Sequence, residues 1–543
     1  MKKNNAFRRA AALMAALSIT VSLAAPAFAD TYYIDYGDIT ITKNEDGSQT
    51  IEQGGDKWTD KAGEETVITT SNTVITTLES DLEGPAAEDS DFGPVVEDNY
   101  QPAQPEDAEK QEGADQPESA EEPKSADQQA APAAAPAGST PVNKKDDGFW
   151  GNTITVINNI ADKVLNLTLK DVKIDVSDTG DQYDWDQKGK AALSVQGKGN
   201  VEIELDGDNE LKSGTQSAGL EKTSTGTLTL KDDNNEAGSL TATGGFNSAG
   251  IGGGYLGDGK NITITGGIVN ATGNEDGAGI GGGSSGSGEN ITINDGKVTA
   301  TGGNYAAGIG GGSVGAWGGD AGSGKHLTIN GGTVNATGTD GGAGIGGGDE
   351  GSGEDITITG GTVNAAGGDF GAGIGGGLNG VGKNITIAGG RVTVAGGDYG
   401  AGIGGGFRGN GENITITGGT VTAAGGNGAG IGGGVNGIGS KVTVSGAAQV
   451  TATATGSGPD WSGVGTGATI GNGGSKTPDG PVDGKEIQAD ISHLTTGYIH
   501  HIIYNPDLDL DGKPDGILKE WWEFALPKPI PDGESLDLHV ETL

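Results

Sequence analysis

Two groups of residues have the types and spacing for chemistry. The first is the run Asp507-Leu508-Asp509-Leu510-Asp511-Gly512-Lys513-Pro514-Asp515-Gly516. Asp507, Asp509, Asp511 and Asp515 take positions 1, 3, 5 and 9 of an EF-hand-type loop, with Gly512 at position 6, and oxygen ligands at that spacing suit calcium. The bidentate Glu of such loops is missing: Leu518 stands at position 12 and Glu520 two residues later. The plain alternative is a solvated acidic turn. The second group recurs along the chain. Glu275, Asn304, Asp340, Asp369 and Asp398 form a column, followed by an aromatic at Tyr305, Phe370 and Tyr399. Carboxylates accept strong hydrogen bonds from hydroxyl groups or ligate calcium. Aromatic rings offer flat apolar faces. Asn304, Tyr305, Asp369, Phe370, Asp398 and Tyr399 are therefore candidate carbohydrate-binding residues. Trp317 joins them from the longest spacing of the repeat, because insertions in solenoids map to loops on one face, often the binding face. Tyr255 and Phe407, on return loops, are further candidates. The alternative is structural: corner turns favour Asp and Asn through Asx turns.

Catalytic signals are poor. His326, His493, His500, His501 and His539 fall in no recognisable arrangement, so no catalytic residue is expected.

The elements that carry these residues follow from a repeat. Ala-Gly-Ile-Gly-Gly-Gly occurs seven times, starting at Ala249, Ala278, Ala307, Ala343, Ala372, Ala401 and Ala429. Most starts are 29 residues apart, one gap is 36 and one is 28. A fixed period of this size means one unit stacked on itself. Between the strings lie alternating runs such as Asn413-Ile414-Thr415-Ile416 and Thr420-Val421-Thr422-Ala423, which read as strands. Three inward ladders are predicted, through Ile264, Val269 and Ile251 and their equivalents in each repeat. Three aliphatic ladders on one axis describe an all-β fold: a right-handed parallel β-helix of about ten coils. Weaker coils are expected at Leu167–Leu169, Val201–Leu205 and Leu228–Leu230, and one more at Gly463-Val464-Gly465.

Thr263, Thr292, Thr328, Thr357, Thr386, Thr415 and Thr443 form an outward ladder beside a second column of Asn and Thr. Such hydroxyls could meet a polysaccharide or order water as in ice-binding solenoids. The second Thr column is broken by Asn294, Asn330 and Ala388, which argues against ice. Stacked polar strand residues that simply support one another are the plain reading.

Composition bounds the rest. Gly is 109 of 543 residues without a Gly-X-Y period, which excludes collagen. A net charge of −42 argues against nucleic acid and anionic membranes as partners. The absence of Cys excludes disulfides and thiolate metal sites. Lys2, Lys3, Arg8 and Arg9, an apolar stretch and Ala27-Phe28-Ala29 predict a signal peptide over 1–29 and a bacterial protein, secreted or surface-associated, without a membrane span. Residues 30–80 read as a small β-rich segment, either a separate module or the first layer of the solenoid, with strands at Ile39–Thr42 and Thr73–Thr76. Residues 81–147 are acidic and rich in Pro, Ala and Gln, and read as a disordered linker. The β-helix is expected over 148–475 and a short C-terminal tail module over 476–543.

Ala191-Ala192-Leu193, Gly199-Asn200-Val201-Glu202-Ile203, Ser217-Ala218-Gly219-Leu220 and Gly226-Thr227-Leu228-Thr229 precede the repeats. With the secretory signal, this order resembles secreted right-handed β-helix proteins of Gram-positive anaerobes described as carbohydrate-binding. The resemblance covers roughly residues 150–475. It implies a β-helix that binds acidic or plant-type polysaccharide, with calcium in some members. The expected function is a secreted, non-catalytic solenoid, monomeric, binding extracellular polysaccharide or cell-surface glycan. The alternatives are a structural or adhesive surface protein and a polysaccharide lyase or glycoside hydrolase.

Overall fold

Inward aliphatic ladders with Gly-rich corners dictate a stack, and the computed structural model shows one. It describes residues 30–61, 65–70, 141–184, 186–234, 237–315, 320–455, 463–505 and 516–525. The signal segment, most of the linker, Thr73–Thr76, Trp317 and the whole acidic loop from Asp507 to Asp515 lie outside the described residues. The described residues all fall in one compact unit. They contain no α-helix, only a 3-10 turn at Ile34–Tyr36, and none of their helices is long and apolar enough to cross a membrane.

Each coil contributes three strands. Gly411–Ile416 lies on a first face, Thr420–Gly425 on a second and Ile431–Gly432 on a third. Each pairs in parallel with its equivalent one coil on, like residue on like: Ile414 with Val442, Val421 with Val450, Ile431 with Ile470. The third face stacks twelve parallel rungs, from Ile39–Lys43 to Ile470–Gly471, within a 14-stranded sheet. The other two faces count as a single 24-stranded sheet because one strand, Asn200–Lys212, runs through the corner between them.

Period two along each strand decides the core. The three expected ladders are buried throughout, and two more join them. Ile262, Ile291, Leu327, Ile356, Ile385, Ile414 and Val442 point inward on the first face. Ala271, Ala300, Ala336, Ala365, Val394, Ala423 and Ala452 do so on the second. A fully buried Ile stabilises by about 1.5–3 kcal/mol over an exposed one, so the repeated ladders carry the fold.

One Gly column closes the corner after the third face. Gly252, Gly281, Gly310, Gly346, Gly375, Gly404, Gly432 and Gly471 have φ between +133° and +145°. From Gly252 to Gly432, a Cβ would meet the carbonyl oxygen of the next Gly in the column at 1.9–2.1 Å. Only Gly fits, because both the conformation and the approach of backbone to backbone exclude a side chain.

One open alternative is decided and three expectations need correcting. Residues 30–70 are the first layer of the stack: Thr66–Thr69 pairs with Leu167–Lys170 and Ile39–Thr42 with Ile154–Ile157. The end of the presumed linker is built into this layer, since the Val142 N–H donates to the Asp35 carbonyl at 2.8 Å. The last rung of the third face is Ile470, not Val464; Ala468 and Ile470 occupy the core positions and are fully buried. The tail is partly continuous with the solenoid. Tyr498–Tyr504 pairs in parallel with Gln449–Thr455, and Ile517–Phe524 folds back on it antiparallel. At the other end, Gln49–Gln53 and Asp56–Asp60 add antiparallel strands. Both ends thus depart from the parallel pattern, as solenoid caps do.

Candidate functional site

The corner between the second and third faces carries the acidic and aromatic column. Two loops share it: one precedes each Ala-Gly-Ile-Gly-Gly-Gly string and one follows it. They interlock with a stagger of one coil. The Ser313 N–H donates to the Asp276 carbonyl, Asp349 to Tyr305, Phe407 to Phe370 and Val435 to Tyr399, each at 2.8 Å. Side chains two residues before one string therefore sit beside those six residues into the next. Glu275, Tyr305 and Asp340 in this column have left-handed φ, the turn conformation that frees their side chains from the sheets.

This tiling makes two neighbourhoods. In the first, Phe370 and Tyr399 stack with ring centroids 5.1 Å apart and planes 13° apart. Phe407 tilts against both at 5.8 and 5.6 Å, and the Arg408 guanidinium lies 4.8 Å from its ring centre. Asp369 and Asp398 are exposed beside these rings. Four of the predicted residues thus come together, with Phe407 as a fifth. In the second neighbourhood, Ser284 and Ser313 replace the bulky residues and leave a cavity of about 360 Å³. Asp276, Asp349, Glu275, Asn304 and Tyr305 line it. Asn304 Nδ2 donates to Glu275 Oε2 at 2.9 Å, and Tyr305 is exposed at the rim. From Gly315, also on the lining, the chain passes into the insertion that holds Trp317, outside the described residues.

Asp276 and Asp349 were not singled out by sequence. Burial pushes the Asp276 carboxyl up to about 6, the neighbouring charges of Glu275 and Asp349 add to this, and the Ser313 and Ser284 hydroxyls oppose it. Burial also raises Asp349, whose Oδ1 is buried without a hydrogen-bond partner among the described residues. A signal existed: Asp349 is the one acid in a column that otherwise reads Tyr255, Ser284, Ser313, Leu378, Phe407 and Val435. The raised Asp276 has a stability consequence. From its ordinary value of 3.8 up to about 6 the native state holds more protons than the unfolded one, so this group favours folding as pH falls through that window and opposes it above. Asp276→Asn is expected to stabilise the protein at pH 7 by about 1–2 kcal/mol, allowing for solvent at the open side of the cavity. Thermal unfolding at pH 4 and pH 7 checks it; a variant with the wild-type pH dependence contradicts it.

Outward-facing amides bond to their equivalents one coil on. Asn364 Nδ2 donates to Asn335 Oδ1 at 2.9 Å, and Asn413 Nδ2 to Asn384 Oδ1 at 3.0 Å. His326 belongs to this same scaffold: it takes the left-handed position of the Asn column, with its ring 3.4 Å from Asp355. Among the described residues no three His, Asp or Glu side chains converge as metal ligands.

A larger cleft of about 550 Å³, lined by Tyr32, Tyr33, Tyr36 and Trp58, lies at the N-terminal end. Asp30 and Asp56 are the acids on its lining, and Tyr32 is spent on the neighbouring Asp60, which accepts from Tyr32 Oη at 2.7 Å and from Thr66 Oγ1 at 2.6 Å. That arrangement is the chemistry of a cap, and the corner is the stronger site.

Seven segments, residues 236–255, 262–284, 291–313, 327–349, 356–378, 385–407 and 414–435, match the family described as Beta helix repeat. The chain carries Beta helix repeats over residues 236–435, in keeping with the parallel stacks of its fold. Neither curated proteins nor solved structures give a match to it. The six segments after the first begin at the first-face strands, and all seven run through the string, so both neighbourhoods of the corner lie on the repeats themselves.

Proposed function

We propose that this protein is a secreted, non-catalytic β-solenoid that binds extracellular polysaccharide along the corner. The observation that carries the reading is the cluster of Phe370, Tyr399 and Phe407 flanked by Asp369 and Asp398. Sugar rings present apolar C–H faces that stack on aromatics, and rims of hydroxyls that donate to carboxylates. Repetition suits a polymer, since neighbouring coils offer the same groups at a spacing of about 4.8 Å. Calcium at the Asp507–Asp515 loop belongs to this reading as an accessory ion. The negative charge of the chain argues against nucleic acid and anionic membranes as partners.

A glycan array with and without chelator tests the reading. Binding to at least one polymer is expected, and Tyr399→Ala with Phe407→Ala is expected to weaken it at least tenfold, about 1.4 kcal/mol. No binding in either condition leaves a structural spacer. The cavity favours one second reading: a carboxyl held near 6 beside another carboxylate is the equipment of glycoside cleavage. Release of reducing ends or unsaturated products from pectin or xylan, lost in Asp276→Asn, would replace binding with catalysis.

A further inference from the structure

The antiparallel hairpin that ends the second face carries aromatic rings outside the corner site. Tyr498–Tyr504 extends the sheet from Gln449–Thr455, and Ile517–Phe524 is the last strand among the described residues. The register places Thr451 beside His500, His500 beside Trp522 and Tyr498 beside Phe524. Ile499 continues the inward Val450 column and is fully buried, so His500, Trp522, Tyr498 and Phe524 share the outward side.

These rings are held rigidly. His500 stacks on Trp522 with centroids 3.7 Å and planes 6° apart, which covers one face of the indole. His500 Nε2 is 2.6 Å from Glu520 Oε1, and Tyr498 meets Trp522 edge-on at 5.1 Å. Phe524 is parallel to Trp522 within 5°, with centroids 6.0 Å apart. Trp522 is nevertheless 44% exposed and Phe524 60% exposed. The free surface of Trp522 lies on the side away from His500. A chain with only 5% aromatic residues has placed a parallel pair in water on an edge strand, where a bare apolar surface invites unwanted association.

We propose that Trp522 and Phe524 form a second glycan-stacking platform, taking a neutral, extended polysaccharide. The proposal rests on the carbohydrate-binding reading and adds a site and a ligand class to it. Charge selects the occupant. The strand carries Lys519, Glu520 and Glu523, charges that discourage pairing with another edge. Two copies of a chain at −42 repel each other, and so does an anionic polymer. A neutral pyranose chain has no charge to oppose and presents apolar faces in succession. Side chains two residues apart on a strand are about 6.6 Å apart, so the two rings address successive sugars. Glu520, fixed by His500, stands ready to accept from a sugar hydroxyl. Preorganised rings lose little rotamer freedom on binding.

The test uses the full chain and three neutral polymers, xylan, mannan and a soluble β-glucan, by calorimetry and by depletion from solution. Trp522→Ala with Phe524→Ala is expected to lose at least tenfold in affinity for one of them, and Trp522→Phe, which keeps a stacking ring, to lose less. Thermal unfolding of both variants shows whether the hairpin is retained. If wild type binds and the double variant binds equally well, the platform is overturned while the corner reading stands. If the double variant loses binding but Tyr399→Ala with Phe407→Ala does not, the platform stands and the corner reading fails. Loss of self-association in place of glycan binding, seen by sedimentation, assigns the rings to a second copy and overturns the proposal.

Discussion

Gly404→Ala is expected to destabilise the protein by more than about 4 kcal/mol, a size reserved for a few named mechanisms. Two act here together. At φ +137° an L side chain is strained, and its Cβ would lie 1.9 Å from the carbonyl oxygen of Gly432. That oxygen is backbone, shared by the next rung, and cannot swing aside as a flexible side chain can. Gly37 separates the two causes. It has φ +125° with nothing within 4 Å of a Cβ, so Gly37→Ala should cost only the strain, about 1–3 kcal/mol. Thermal unfolding and soluble yield of the two variants measure the difference. Equal losses would mean that the close approach of corners contributes nothing.

The second large effect concerns the C-terminal cap. His501 is buried, with Nδ1 2.6 Å from Thr469 Oγ1, while the Thr469 hydroxyl and the Thr469 and Ile470 N–H groups bond Glu486. Burial pulls its imidazole down from 6.5 to about 4, and the positive charges of His500 and Lys519 act in the same direction. Glu523 stands 3.6 Å from Nε2, too far for a hydrogen bond, and its own carboxyl is raised by burial, so it offsets little. The sign is opposite to that of Asp276. From about 4 to 6.5 the unfolded chain holds the extra proton, so stability falls as pH drops through this window and the loss is complete near 4. The full effect is about 3 kcal/mol at most. Protection factors of the amides in Tyr498–Tyr504, the exchange rates corrected for their intrinsic pH dependence, should fall between pH 6.5 and 4, and His501→Phe, which keeps a ring beside Trp521, should flatten that dependence. Protection in the variant that still falls as in wild type would place the proton elsewhere.

Much of the architecture was legible because the core obeys a local rule. Alternation places Ile416 and Val421 inward, and the 29-residue period does the rest. The same alternation applies to Ile414 and Ala423, which make the fourth and fifth ladders. The corner was half legible. Phe370 and Tyr399 fall in one column and do stack. Asp276 beside Ser313, and Asp349 beside Tyr305, arise only from the one-coil stagger between two loops, which no single repeat displays. Val464 misled because flanking Gly residues resemble the string, whereas the rung is set by the buried pair Ala468 and Ile470. The C-terminal hairpin was hidden for a related reason. Tyr498–Tyr504 continues the second face without belonging to the period, so its aromatics read as a departure from the fold when they are its end.

The stagger also sets how the corner responds to force. On the proposed reading, a polymer bound at the corner and drawn by flow would pull on a few rings, such as Tyr399. The loop bearing Tyr399 is tied through Val435 to the following coil, and the loop bearing Phe370 through Phe407. A pull on one ring would therefore be passed to the next coil through these backbone bonds. On that reading the loop that grips the ligand would be held by its neighbours even where each individual grip is weak.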